Sequence, residues 1–430
     1  MSRKYFVCLA VYLLIHSYLF AQIGMAAEND NPALKLDWPL LDLPYQVAAM
    51  NTVGYGFFSS YANPSMAQSL AVTQNIYSGF HYGMKYFYDH SRLGKWPTRF
   101  IFYGSISLGH VLFLWMPGAS SWMHEEYHRA ILARFGANSS NPVNRFPIGA
   151  MVMPVGLDIN DLARIHNESP PDYVRLCEAG IEGQYVLIDR MQRNNFFYAQ
   201  QLPHEIGYWF NTVNSHMYVI AEKNDFFLWV TDLYRSDEIY EYVTGGNAGE
   251  PTADDLTDEE RRYLKLHGYL QFFNYLSPMM FGIRTIPLGD TGYEMNFAMR
   301  HYLASFGADI AANVFLKKGP FKMAFALHNY VNHHNYFPAI EAELVDYPVY
   351  LSKLGLYVSP RVLIGMQPKD QVFKTGRPEF LGLFGLKIDF MASRHFLPYL
   401  DFTAKTGGWV AGNEYLSANA SIRLGVSMRF

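Results

Sequence analysis

The sequence carries the five residues HEEYH at positions 124 to 128, and their types and spacing can support metal-dependent hydrolysis. On a helix that turns about 100° per residue, His124 and His128 lie one turn apart on the same face, so both imidazoles can bind one zinc ion. Glu125 then lies beside the metal, where it can accept a proton from a zinc-bound water. The motif therefore predicts His124 and His128 as zinc ligands and Glu125 as a general base.

The residues after the motif are typical of a helix that continues beyond His128. RAILARF supplies apolar and helix-forming residues, and Gly136 supplies a stop signal. Within the motif, Glu126 is expected on the helix surface and Tyr127 in a packing position. Six other histidines are expected to have structural or loop positions: His166, His204, His216, His267, His333 and His334.

The motif resembles that of the HExxH metallopeptidases, the zincins, and the resemblance covers the motif and one further helix. The third histidine that metzincins carry soon afterwards is absent here, because RAILARFGAN follows His128. In gluzincins a glutamate on a later helix is the third ligand, and CEAGIEGQYVLID at 177–189 is the best match. The resemblance implies Glu182 as the third zinc ligand, with Glu178 as its substitute or as a supporting neighbour. Gly180 and Gly183 would let this helix approach the metal helix closely.

The N-terminus predicts an export signal over residues 1–27. Arg3 and Lys4 precede an uncharged run from Tyr5 to Phe20, and a small-residue stretch follows up to Ala27. Once the signal is removed, Cys177 is the one cysteine that remains. This excludes an internal disulfide and a cysteine zinc site.

The last fifteen residues, LSANASIRLGVSMRF, alternate without a break between apolar residues at even positions and polar residues or glycine at odd positions. A period of two predicts a strand, and the length suits a tilted strand that crosses a membrane with one face in lipid. The ending resembles the C-terminal strand of bacterial outer-membrane β-barrels, whose assembly machinery recognises a terminal phenylalanine. That residue would be Phe430.

The same alternation recurs upstream and predicts about eight strands between residues 290 and 430, the smallest closed barrel that a bilayer accepts. Turn signals such as KKGP, QPKD and KTGG separate these strands. A further strand at 53–61 is a candidate addition. The strands are expected near 293–300, 306–314, 320–330, 338–345, 351–358, 380–391, 396–405 and 416–430.

Residues 64–288 lack this alternation and carry helix start signals, such as the capping box formed by Thr257 and Glu260. The sequence therefore predicts an α+β fold in four parts: a signal peptide at 1–27, an N-terminal segment with a candidate strand at 28–63, a helical zincin-like domain at 64–288, and an antiparallel transmembrane β-barrel at 289–430.

Residues Phe100 to Met123 allow an alternative architecture with a membrane-spanning helix. This stretch contains no formally charged residue and is long enough to span a bilayer. If it spans, the chain would resemble the site-2-type intramembrane metalloproteases. His110, Pro117 and Gly118 favour instead a buried, broken helix.

Composition narrows the classes of function. The net charge is −4 and aromatic residues make up 17% of the chain, which gives no sign of a nucleic-acid partner. The expected function is a zinc-dependent hydrolase, most simply a peptidase, in the outer membrane of a Gram-negative bacterium, with membrane lipid around it and a peptide or envelope substrate. Two alternatives stay open: a channel or structural barrel in which HEEYH is not catalytic, and a zinc amidase or esterase that acts on envelope components.

Overall fold

The structure is a computed structural model, and it describes residues 34–50, 62–92, 95–113, 116–141, 156–198, 203–220, 266–351, 354–371 and 375–430, together with residues 32, 52 and 373. The predicted signal peptide, the candidate strand at 53–61 and the capping box at Thr257 lie outside the described residues.

Helices dominate the described residues between 45 and 220. The capping box of Ser65 and Gln68 starts α2, and Pro170 and Pro171 occupy the first turn of α6, where a missing N–H is tolerated. The helices are α1 (Tyr45–Ala49), α2 (Met66–His90), α3 (Lys95–Phe113), α4 (Ser120–Arg134), α5 (Ile159–Glu168), α6 (Pro170–Phe197) and α7 (Pro203–Ile220).

The strands in the described residues are β1 (Lys35–Leu43), β2 (Ser139–Ser140), β3 (Gly156–Leu157), β4 (Ile286–Pro287), β5 (Glu294–Ala304), β6 (Gly307–Lys318), β7 (Phe321–Asn332), β8 (Asn335–Leu344), β9 (Tyr347–Leu351), β10 (Leu354–Pro368), β11 (Pro378–Phe390), β12 (Phe396–Lys405) and β13 (Asn419–Arg429). Eleven of these described strands form one antiparallel sheet in the order β1-β13-β12-β11-β10-β8-β7-β6-β5-β4, with β9 paired to β10; β2 pairs with β3 separately. The predicted α+β class and the run of C-terminal strands are confirmed, and β1 adds an N-terminal strand beside β13.

The exposed face of the sheet is apolar, whereas its buried face carries polar and charged side chains beside an apolar cluster. In β13, Ser421, Ser427 and Arg429 are buried, whereas Ile422 and Leu424 are each 44% exposed. A sheet in a water-soluble protein shows the opposite arrangement, with its apolar face on the core. The alternation in the sequence is therefore present in β13, and its apolar residues lie on the exposed face of the sheet.

Helix α6 packs against the buried face of the sheet. Ile181, Tyr185 and Ile188 of this helix form one apolar cluster with sheet residues such as Tyr302 and Leu363. Charged side chains of the same face are paired with each other around this cluster: Arg429 with Asp346 at 3.0 Å, Lys387 with Asp37 at 3.0 Å and Arg361 with Glu341 at 2.8 Å. The buried face of the sheet thus carries both the contact with α6 and ion pairs.

The uncharged stretch from Phe100 to Met123 is divided between two helices. Helix α3 ends at Phe113 and α4 begins at Ser120, with Gly118 in the left-handed region at φ 81°. The predicted break is confirmed, but the predicted burial is wrong for the face of α3 that carries Ile101, Leu108 and Leu112, which are exposed. Among the described residues, the structure contains no helix whose length and apolar character would let it cross a membrane.

Candidate metal site on helix α4

The HEEYH residues lie in the middle of α4, so they are helical as the spacing predicts. The rings of His124 and His128 are 4.9 Å apart between centroids and inclined by 70°, so both imidazoles project from one face of the helix. His124 is buried, and His128 and Glu125 are half-buried. Gly136 has a φ of 68° just after the helix ends at Arg134, which confirms the predicted stop.

The backbone of α6 fixes the orientation of the His128 ring. Nδ1 of His128 lies 2.5 Å from the carbonyl oxygen of Leu176, and because a carbonyl only accepts, Nδ1 carries the proton and Nε2 keeps its lone pair. Loss of water around the ring lowers the pKa of His128 to about 4, so the imidazole is neutral near pH 7. A neutral histidine that donates its other N–H to a backbone carbonyl is the usual form of a metal ligand.

Two glycines of α6 allow the close approach of α4, as the sequence predicts. A Cβ atom at Gly180 would lie 2.3 Å from Nε2 of His124, and one at Gly183 would lie 2.9 Å from the ring of Tyr127. Any side chain at Gly180 would therefore occupy the space of the His124 imidazole. The imidazole of His124 therefore packs directly against the backbone of α6 at Gly180.

Glu182, the predicted third ligand, binds other groups. Its Oε1 accepts hydrogen bonds from Arg175 at 3.0 Å and from the backbone N–H of Gly412 at 2.6 Å. Burial raises the pKa of Glu182, and the positive charge of Arg175 opposes this shift. The carboxylate of Glu182 thus binds Arg175 of the same helix and the loop between β12 and β13.

Glu178, the predicted substitute, is fully buried on the same helix. It precedes Tyr185 by two helical turns, which puts both residues on one side of α6, and Tyr185 packs among residues of the sheet. Gly180, which contacts His124, lies on a different side. Within the described part of the chain, no group of three or more histidine, cysteine, aspartate or glutamate side chains is positioned to hold a metal ion.

The structure therefore brings together two of the four predicted ligands. The rings of His124 and His128 lie side by side on α4, whereas Glu178 and Glu182 do not converge on them in the described arrangement. The assignment of a glutamate as third ligand stays a prediction.

Glu126 has a position that the sequence analysis did not predict. Its carboxylate is buried, binds Arg129 through two contacts of 2.7 and 2.8 Å, and accepts a hydrogen bond from Asn141 at 2.8 Å. The expectation of a surface position is wrong, because these two partners compensate the charge inside the protein. The expectation that Tyr127 packs is confirmed, since its side chain is fully buried.

Two buried histidine pairs were not recognised in the sequence. Nε2 of His81 lies 2.8 Å from Nε2 of His110, and Nδ1 of His267 lies 2.9 Å from Nε2 of His301. Each pair joins two elements that are distant in the chain, so no local spacing reveals it. The sequence around His110 contains no charged residue, and this is the signal that indicates a buried position for His110.

Comparison of the chain with protein-family models, with curated proteins and with solved structures gave no match.

Proposed function

We propose that this chain is an outer-membrane protein of a Gram-negative bacterium and that α4 carries the site of a zinc-dependent hydrolase, most simply a peptidase. The observation that carries the hydrolase is the pair His124 and His128 on one helix face, with His128 held in its metal-binding tautomer by Leu176. His124 and His128 would bind zinc, and Glu182 or Glu178 would complete the set.

The residues around the histidines have separate roles in this proposal. Zinc, when bound, would make a water molecule more acidic and polarise the scissile carbonyl. Glu125 follows His124 directly and would accept the proton of that water. The Leu176 carbonyl keeps the Nε2 lone pair of His128 available, and Gly180 leaves space for His124. Glu182 would act as a ligand only after it leaves Arg175 and Gly412.

The burial pattern of the sheet supports the membrane location. Side chains such as Ile422, Leu424 and Phe384 are exposed on its outward face, whereas charged residues are buried and paired on its inward face. In water this arrangement would expose a large apolar surface, but in a bilayer the same side chains would contact the acyl chains of the lipids. We therefore propose that the sheet lies in the outer membrane as the wall of a β-barrel, with α6 packed on its inner side and the HEEYH helix packed on α6.

One observation favours a second candidate, a structural barrel in which HEEYH is not catalytic. Glu182 pairs with Arg175 at 3.0 Å without a metal, and His124 and Tyr127 pack closely on α6. In that case the motif would stabilise the contact between α4 and α6. An open channel is less well supported, because α6 packs against the inner face of the sheet. A zinc amidase or esterase would use the same residues as a peptidase.

The test replaces Glu125 with Gln, which keeps the size of the side chain and removes its basic carboxylate. Hydrolysis should fall by a factor of about 10² or more while zinc stays bound. The control is Glu168→Gln, because Glu168 is exposed at the end of α5 and its pair with Arg164 is a surface pair. Glu126→Gln is unsuitable as a control, since Glu126 is buried in an ion pair.

Wild type and both variants are incubated with a peptide library and with envelope fragments, and new termini or products are identified by mass spectrometry. The hydrolase proposal requires products from wild type and from Glu168→Gln. If zinc-loaded wild type yields no product, or Glu125→Gln is as active as wild type, the structural candidate replaces the hydrolase.

A further inference from the structure

The first edge strand of the sheet, β1, is covered by side chains of α2. Asn75 accepts a hydrogen bond from the backbone N–H of Asp37 at 3.1 Å and donates one to its carbonyl oxygen at 2.7 Å. Gln68 donates to the carbonyl oxygen of Pro39 at 3.2 Å. These three backbone groups of β1 thus have partners on a helix.

The other edge, along β5, is covered by the segment 271–281. The short β4 pairs only with the beginning of β5. Beyond it, Asn274 forms hydrogen bonds with both the N–H and the carbonyl oxygen of His301, at 3.2 and 3.1 Å. The N–H of Met299 donates to the carbonyl oxygen of Leu276 at 2.9 Å. This edge, too, is paired with a segment that is not a strand.

Helices α2, α3 and α7 connect these two covered edges. The indole of Trp209 on α7 donates to the carbonyl oxygen of Met280 at 2.6 Å, which ties α7 to the segment beside β5. His110 of α3 contacts His81 of α2 and stacks on Phe210 of α7 at 5.7 Å between centroids. The three helices and segment 271–281, which we call the helical seam, therefore fill the space between β1 and β5.

The outward faces of α3 and α7 within the helical seam carry exposed apolar side chains. On α3, Ile101, Leu108 and Leu112 form one stripe at helical spacing, and Leu108 is 59% exposed, whereas His110 on the opposite side is buried. Exposed apolar residues also lie on α7, at the end of segment 271–281 and just after it, and on β5: Trp209, Val213, Phe281, Ile283 and Phe297. The seam and the outward face of the sheet thus both expose apolar side chains.

We propose that the helical seam completes the wall between β1 and β5 and that its outward face contacts the acyl chains of the membrane. The inference rests on the proposed membrane location of the sheet. An edge strand in hydrocarbon must have partners for its backbone groups, and amides such as Asn75 and Asn274 supply them here. Lipid is the occupant that fits, because the α3 stripe is uncharged and the exposed side chains of α7 and of the outward face of the sheet are apolar as well.

The test measures which solvent surrounds α3 in a bilayer. In a Cys177→Ala background, single cysteines are introduced at Leu108 on the seam, at Ile422 on the sheet and at Asn138, an exposed residue after α4. Each variant is spin-labelled and reconstituted in vesicles of phosphatidylethanolamine and phosphatidylglycerol. The accessibility of the label to oxygen, which concentrates in lipid, is compared with its accessibility to a water-soluble nickel chelate.

The ratio of oxygen to nickel accessibility should be severalfold higher at Leu108 and Ile422 than at Asn138. A water-like ratio at Leu108 with a lipid-like ratio at Ile422 would overturn the seam and leave the membrane location intact. Water-like ratios at both positions would overturn both. A label at Leu108 that neither reagent reaches would mean that protein covers α3, which also overturns the inference. Ile101→Cys, on the same stripe, repeats the measurement if Leu108→Cys does not fold.

Discussion

Replacing Gly180 with alanine tests the contact between α4 and α6 on which the proposed metal site depends. The added Cβ would lie 2.3, 2.4 and 2.5 Å from Nε2, Cε1 and Cδ2 of His124, so the imidazole or the helix must move by about 1 Å to reach ordinary contact. Overpacking of this kind costs about 1–3 kcal/mol, and the better helix propensity of alanine returns about 1 kcal/mol. We expect a net loss of about 1 kcal/mol in the free energy of unfolding.

The effect on function should exceed the effect on stability. A displacement of about 1 Å in a catalytic arrangement can cost a factor of about 10² in rate, so Gly180→Ala should hold zinc less tightly and lose about that much turnover. Unfolding in urea, with the protein in micelles, is measured together with zinc content and hydrolysis.

The matched control is Gly83→Ala on α2, where an added Cβ meets nothing within 4 Å. It should be neutral or stabilising by up to about 1 kcal/mol, with zinc unchanged. The reasoning is refuted if Gly180→Ala is as stable as Gly83→Ala and binds zinc as wild type does, since His124 would then not rest on the backbone of α6.

Three further predictions concern charge and burial. Glu126→Gln should lower the free energy of unfolding by about 3 kcal/mol in urea titrations, because it leaves the buried Arg129 charge uncompensated; a loss below about 0.5 kcal/mol would argue against that ion pair. Ile422→Arg should destabilise the protein in vesicles by about 2–4 kcal/mol, whereas a water-facing strand would lose little; unchanged stability would contradict the lipid-facing position. The double variant Arg175→Met, Glu182→Gln removes both charges of a buried pair, so it should be more stable than Glu182→Gln alone in thermal unfolding; if it also keeps its zinc, the third ligand is not Glu182.

The features that follow from short-range periodicity could be predicted from the sequence. The four-residue spacing of His124 and His128 places both on one face of α4 whatever surrounds the helix. The period of two in residues 416–430 predicts β13, and the resemblance to outer-membrane strands predicts that Ile422 and Leu424 lie on the exposed face. The spacing of the histidines and the period of the strand both depend only on backbone geometry.

The features that depend on partners far along the chain could not be predicted. Glu182 binds the backbone of Gly412, 230 positions away, and no spacing within α6 indicates this contact. Glu126 is buried with its carboxylate bound by Asn141 and Arg129. The charged residues of EEYHR are equally typical of a helix surface, so the sequence alone does not reveal this burial. The side of α6 on which each glutamate lies follows from how that helix packs on the sheet.

The zinc content of the purified mature protein tests the central claim most directly. Wild type is purified from outer membranes, dialysed against a weak chelator and analysed by atomic spectrometry beside His124→Ala and His128→Ala. We predict close to one zinc per chain in wild type and loss of zinc in both variants. Wild type that contains no more zinc than His124→Ala would contradict the account, because HEEYH would then not be a metal site.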